Sequence, residues 1–249
     1  MESNNPEAKF RRFPADYSGM KREEAVFAKM QDPYGVQREY WMDILSPLEA
    51  DGTLRPVILF AHGGAFQEPC DRRQAYISHF AQKLIPAGFT VASPDYPLFH
   101  NEEDRMAFGD EYAQSGFAAE GILKAAKFLK EHAQQYHLDA NQMILMGGSA
   151  GGIGGFHALC DSPDTFAMFV NLWGAPETIP DVSGFPPVYS IHGTDDALVP
   201  YEREIPLQKK LEEHGIPHVL HTIEGAGHTP IPQAMQNLPA LLAFIRRHL

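Results

Sequence analysis

Four short segments of this 249-residue chain carry groups that together suit attack on a carbonyl carbon. The first is Gly147-Gly148-Ser149-Ala150-Gly151, after the apolar run Met143-Ile144-Leu145-Met146 and before the small-residue run Gly152 to Phe156. Strand, sharp turn and helix in that order form an elbow, where flanking side chains would clash and glycines relieve the crowding. The turn leaves the Ser149 hydroxyl exposed above the strand ends. The plain alternative for Ser149 is a helix N-cap. A hydroxyl becomes a useful nucleophile only when a base takes its proton. Gly225-Ala226-Gly227-His228-Thr229 supplies a histidine next to glycines on a mobile loop, a setting that His214, His218, His221 and His248 lack.

The base in turn needs an acid that fixes its tautomer and stabilises its charged form. His192-Gly193-Thr194-Asp195-Asp196-Ala197-Leu198-Val199-Pro200 offers two adjacent aspartates. Neighbouring side chains point in different directions, so one of them reaches the histidine. Asp196 is favoured for that role, and Asp195 is expected to cap the loop or face water. Charge developing on the carbonyl oxygen must be met by preorganised donors. His62-Gly63-Gly64-Ala65-Phe66 follows the apolar run Val57 to Ala61, and glycines let backbone N–H groups turn inward. Gly64 and Ala65 are assigned as donors, with Ala150 from the elbow. The bland reading of Gly-Gly here is an ordinary strand-to-loop turn. The His62 ring is expected to hold the loop rather than to react.

These segments must stand at the ends of strands. The continuous apolar run Val57–Ala61 reads as a strand buried on both faces, Phe89–Ser93 as the next strand, and Phe169–Trp173 and Val188–His192 as further buried strands. Tyr40–Leu45 reads as the first strand and His218–Ile223 as the last. Between them, helices are expected over Ala75–Ala87, Phe117–Leu129, the run after Ser149, Ile205–His214 and Leu238–His248. A helix is also expected near Lys21–Met30, within a polar N-terminal extension over residues 1–37, and residues 97–113 read as irregular. Strands alternating with helices predict an α/β fold, a mostly parallel sheet with helices on both faces, as one domain over 1–249. In such sheets reactive residues gather at the carboxyl ends of strands.

Composition narrows the partners. A formal net charge of −12 argues against nucleic acid and anionic membranes, which need basic patches. A hydrophobic fraction of 44% allows a sizeable core, yet no apolar run approaches the ~20 residues of a membrane span. The N-terminus shows no basic and apolar leader pattern, so a cytoplasmic location is expected. Two cysteines, Cys70 in a loop and Cys160 in a helix, make no disulfide framework. Cys160 is expected to be small and buried. Oligomeric state leaves no trace in the sequence.

With the order Ser149, Asp196, His228, the chain resembles the α/β-hydrolase superfamily over roughly residues 38–249. His-Gly-Gly-x-Phe and Gly-Gly-Ser-Ala-Gly-Gly look like its esterase/lipase branch, which includes hormone-sensitive-lipase-like carboxylesterases and small acetylxylan or feruloyl esterases. Ser93-Pro94-Asp95-Tyr96 is similar to that branch's Asp-Tyr-Arg segment, with Pro97 in place of the arginine, and Ala65 stands where a third loop glycine is common. The resemblance implies hydrolysis of short-chain, acetyl-like esters, including those of carbohydrates, without metal or cofactor. The loop from Trp173 to Val188 is too short for a bulky cap, so an open pocket is expected, with Phe66, Trp173 and the 97–113 segment as candidate walls. An amidase resembling kynurenine formamidase would use the same residues. A ligand-binding protein on this fold is the reading from a different class.

Overall fold

In the computed structural model, residues 15–49 and 51–249 are described. Eight strands form one sheet in the spatial order β1-β2-β4-β3-β5-β6-β7-β8. They are β1 (Met20–Gln31), β2 (Gln37–Pro47), β3 (Arg55–Ala61), β4 (Thr90–Pro94), β5 (Leu138–Gly148), β6 (Met168–Leu172), β7 (Val188–Gly193) and β8 (His218–Ile223). The pairs β1/β2 and β2/β4 are antiparallel, and every other pair is parallel.

Alternation along β3 shows how the layers assemble. Val57, Leu59 and Ala61 face one apolar cluster, with Ala118 and Ile122 of α3 (Glu111–Glu131), Phe156 of α4 (Ala150–Asp161) and Leu207 of α5 (Glu204–Glu213). Ile58 and Phe60 face the other, with Phe80 of α1 (Ala75–Leu84) and Leu241 and Ile245 of α7 (Leu238–His248). All five β3 side chains from Val57 to Ala61 are fully buried. Burying one large aliphatic side chain in this way contributes about 1.5–3 kcal/mol. The sheet is therefore anchored on both faces directly beneath the loop that follows β3.

Three expectations are corrected. Residues 20–31, read as part of an extension with a helix over Lys21–Met30, form β1, so Tyr40–Leu45 belongs to the second strand. Lys, Glu and Ala favour helix locally, but pairing with β2 from Met20↔Pro47 to Gln31↔Gln37 overrides that preference. The charged residues suit an edge strand, where they discourage further pairing. Residues 97–113 are not irregular, because Glu102–Phe108 forms α2, capped by the Asn101 side chain accepting from the Asp104 N–H at 2.9 Å. A short helix α6 (Ile231–Gln236) also precedes α7. Cys160 is partly exposed rather than buried, and neither cysteine is in a disulfide. No helix of the described residues is long and apolar enough to cross a membrane.

A buried carboxylate pins the loop after β3 to the sheet. Asp43 of β2 is fully buried and accepts from Arg72 Nε at 2.8 Å and Arg73 Nε at 3.1 Å. Arg72 also pairs with Asp95, beyond the end of β4.

Candidate active site

Ser149 sits between β5 and α4 with φ at 53°, a left-handed conformation that non-glycine residues seldom adopt. Its N–H donates to the Leu172 carbonyl at 2.9 Å, and its own carbonyl accepts from Gly152 at 2.8 Å and Ile153 at 3.0 Å. The elbow glycines are there because of space. A Cβ on Gly147 would strike the Gly151 carbonyl, and one on Gly151 would strike the Ala61 and His62 carbonyls at the end of β3. These close approaches press the turn onto the end of β3.

The Ser149 side chain meets His228. Nε2 of His228 lies 2.9 Å from Ser149 Oγ, and Nδ1 lies 2.6 Å from Asp196 Oδ2. His228 comes from the loop after β8 and Asp196 from the loop after β7. Asp196 Oδ1 accepts the N–H groups of Leu198 and Val199, both at 2.9 Å, so the carboxylate is fixed in orientation. Burial pushes the Asp196 carboxyl up, but hydrogen bonds from His192 and His228 and the charge of His228 hold it well below the usual range. Asp195 is exposed and accepts from Thr194 Oγ1 at 3.1 Å. The structure thus brings Ser149, His228 and Asp196 together and leaves Asp195 outside.

The loop after β3 arches over Ser149. Gly63 N–H is engaged by Tyr76 OH at 2.9 Å and by Gln74 Oε1 at 3.2 Å. The following N–H groups, of Gly64 and Ala65, take no part in the loop's own backbone hydrogen bonds among the described residues. Gly64 has φ at 121°, and a Cβ there would run into Cys70 Sγ. Ala65 and Phe66 also hold positive φ, at 52° and 60°. Ala150 begins α4 beside them. The His62 ring is buried against Tyr96 with centroids 4.1 Å apart, and Tyr96 OH donates to the His62 carbonyl at 2.6 Å. Tyr96, the tyrosine of the Ser-Pro-Asp-Tyr segment, thereby ties the end of β4 to this loop.

A cavity of about 540 Å³ opens on Ser149. Ala65, Phe66, Ala150, Ile153, Leu198 and Val199 form its apolar walls. The 97–113 segment lines it too, through Glu102, Arg105 and Met106 of α2. Trp173 is not among the lining residues. It is fully buried, edge-on to Tyr76 with centroids 6.0 Å apart. Its neighbour Gly174 packs against the Ser149 carbonyl so closely that a Cβ would lie 2.7 Å away. Trp173 therefore belongs to the core and not to the lining of the cavity.

Known proteins show the same architecture. The family model BD-FAE matches residues 42–162, from β2 through the His62 loop and the elbow to the end of α4. The solved structure of MGS-M1, an alpha/beta hydrolase enzyme from a Medee basin deep-sea metagenome library, superposes with a TM-score of 0.70. It has 17% identity, covering 91% of this chain and 98% of its own. The thermophilic esterase Est2 of the planctomycete Thermogutta terrifontis gives 0.68 at 18% identity, covering 94% and 95%. Esterase Est22 gives 0.69 at 15% identity, covering 93% and 83%. The chain has the α/β-hydrolase fold. No curated protein sequence matches it significantly.

Several residues around this candidate site escaped the sequence reading. Arg203 lines the cavity and bridges Glu111 at 3.1 Å and Glu177 at 3.0 Å, which also line it. Burial raises the Glu111 carboxyl above its ordinary range, against the opposing pull of the Glu177 N–H and Arg203. His192 and Glu204 lie behind Asp196, both fully buried. Glu204 shares a helix face with Leu207 and Leu211, three and seven residues on. A carboxylate in that apolar stripe was the available signal.

Proposed function

We propose that this protein is a serine carboxylesterase acting on short acyl esters. The observation that carries the reading is the unbroken hydrogen-bond chain from Asp196 through His228 to Ser149, ending in a cavity. His228 takes the Ser149 proton as Oγ bonds to the ester carbonyl carbon. The carbonyl π electrons move onto oxygen, where the N–H groups of Gly64, Ala65 and Ala150 receive the charge. The tetrahedral intermediate then collapses. Its bond to the leaving oxygen breaks as His228 delivers the proton there, and the alcohol departs. Water repeats the cycle on the acyl-enzyme: it gives a proton to His228 as it adds to the carbonyl carbon, and the acid leaves as the bond to Ser149 Oγ breaks and His228 returns the proton there. Asp196 stays ionised and keeps Nε2 as the acceptor.

The walls favour a small acyl group and a polar alcohol. Phe66, Ile153 and Val199 offer a confined apolar surface, while Gln67, Glu102 and Arg105 offer hydrogen-bonding groups in the same cavity. Carbohydrate acetates combine those two halves.

The test is hydrolysis of p-nitrophenyl acetate, butyrate and octanoate by the wild type and Ser149→Ala, followed by acetylated sugars. Turnover that declines with chain length and vanishes in the variant is expected. Absence of turnover of every ester by the wild type would refute the reading.

A further inference from the structure

Behind Asp196 lies a second histidine that the cycle above does not use. His192 stands in β7 with its side chain fully buried. Its Nε2 faces two acceptors, the Val199 carbonyl at 2.9 Å and Asp196 Oδ2 at 3.1 Å. Its Nδ1 faces Glu204 Oε1 at 3.4 Å. Glu204 accepts from two amide groups, Asn171 Nδ2 and Gln208 Nε2, each at 2.8 Å. Both of its carboxyl oxygens are thus engaged as acceptors.

A neutral imidazole has one N–H and one lone pair. With acceptors at both nitrogens, the neutral form would aim its lone pair at a buried oxygen. The imidazolium, with two N–H groups, satisfies every partner. Its positive charge also sits between two buried carboxylates that would otherwise repel each other. Burial works against that charge, but the hydrogen bonds to Asp196 and Glu204 outweigh it and push His192 up to about 9. The other titratable groups nearby are Tyr201, edge-on at 5.9 Å between centroids, and His228, across Asp196 from the loop after β8.

We propose that His192 is a positively charged positioning residue that draws off part of the Asp196 charge, so that His228 stays unprotonated and able to act as a base. The proposal rests on the triad reading given above. An unshared buried aspartate at 2.6 Å would favour the protonated form of His228, which cannot accept the serine proton. His192 weakens that pull through the same oxygen. Buried charges this close are little screened.

Two measurements test it. The first is the pH dependence of kcat/KM in His192→Gln, which keeps a donor but loses the charge. The acidic limb is expected to move upward by about one pH unit, with a smaller loss on the alkaline plateau. A uniform loss with the limb unmoved would reduce His192 to a packing role and overturn the proposal. The second uses the unaltered protein, so it stands even if the variant fails to fold. Nitrogen-15 NMR of the histidine rings should show both His192 nitrogens protonated at pH 7. One unprotonated nitrogen at that pH would overturn the proposal. Failure of the wild type to cleave any ester, with Ser149 inert to a fluorophosphonate, would instead strike down the triad reading. It would remove the role of His192 along with it.

Discussion

His192 and His228 meet the same oxygen, Asp196 Oδ2, at 3.1 and 2.6 Å. The other carboxylate oxygen holds two backbone N–H groups, so Asp196 has no rotation that would serve one histidine without the other. Asp195, one residue away, reaches neither ring. Asp196→Asn is therefore expected to lower kcat by roughly 10⁴-fold, and Ser149→Ala or His228→Ala by roughly 10⁶-fold. Asp195→Asn should stay within about threefold of wild type, since exposed substitutions away from a site cost little. Equal losses at the two aspartates would contradict the geometry.

Stability should depend on pH through the same group. His192 is raised in the folded state to about 9, against about 6.5 in an unfolded chain. Its contribution is complete below the unfolded value and is lost as pH rises through the folded one. The wild type should therefore lose Tm between pH 6.5 and pH 9 or so. His192→Gln should lose less over that range, narrowing the gap between the two. Thermal melts at pH 6 and pH 9.5 measure this, and a constant gap would count against a charged His192.

Gly64 should tolerate no side chain. Its φ of 121° strains any L-residue, and its Cβ position is already filled by Cys70 Sγ. Gly64→Ala is expected to displace the backbone donors and cut kcat by about 10²-fold, the scale of losing one oxyanion contact. KM for p-nitrophenyl acetate should move far less. A kcat within a factor of about two of wild type would remove Gly64 from the oxyanion assignment.

Trp173→Phe separates a wall from a core residue. Because Trp173 lies in the core and not in the cavity, the acetate-to-butyrate turnover ratio should be unchanged. The smaller ring leaves unfilled space in a close-packed interior, so Tm should fall by an amount equivalent to about 1–3 kcal/mol. A changed acyl preference with unchanged Tm would return Trp173 to the pocket.

Legibility followed the range of the interactions involved. The elbow, the His62 loop and the strand runs are local patterns, and steric demands at Gly147, Gly151 and Gly64 are written in neighbouring residues. β1 was misread because its partner, β2, supplies the hydrogen bonds that its own composition does not favour. Trp173 is a core residue because it packs against Tyr76 from a distant segment, a contact that leaves no mark in residue type. Glu204 sits in the charged run Tyr201-Glu202-Arg203-Glu204, which looks solvated until Leu207 and Leu211 are seen to share its face. Arg203 is the same case in reverse, a surface-looking cation whose partners, Glu111 and Glu177, arrive from distant segments.

The loops carrying Asp196 and His228 are fastened to each other. Thr194 N–H donates to the Ile223 carbonyl at 3.1 Å, Asp195 N–H to the Ala226 carbonyl at 2.9 Å, and Gly225 N–H to Thr194 Oγ1 at 2.8 Å. Gly193 lies so close to Ala226 and Gly227 that no larger residue fits. Asp196 and His228 thus sit on one fastened unit with two sequence addresses. Recombination between distant relatives would have to carry residues 193–200 and 224–229 across together. A chimera that took one segment alone would inherit a histidine and an aspartate that had never been fitted to each other.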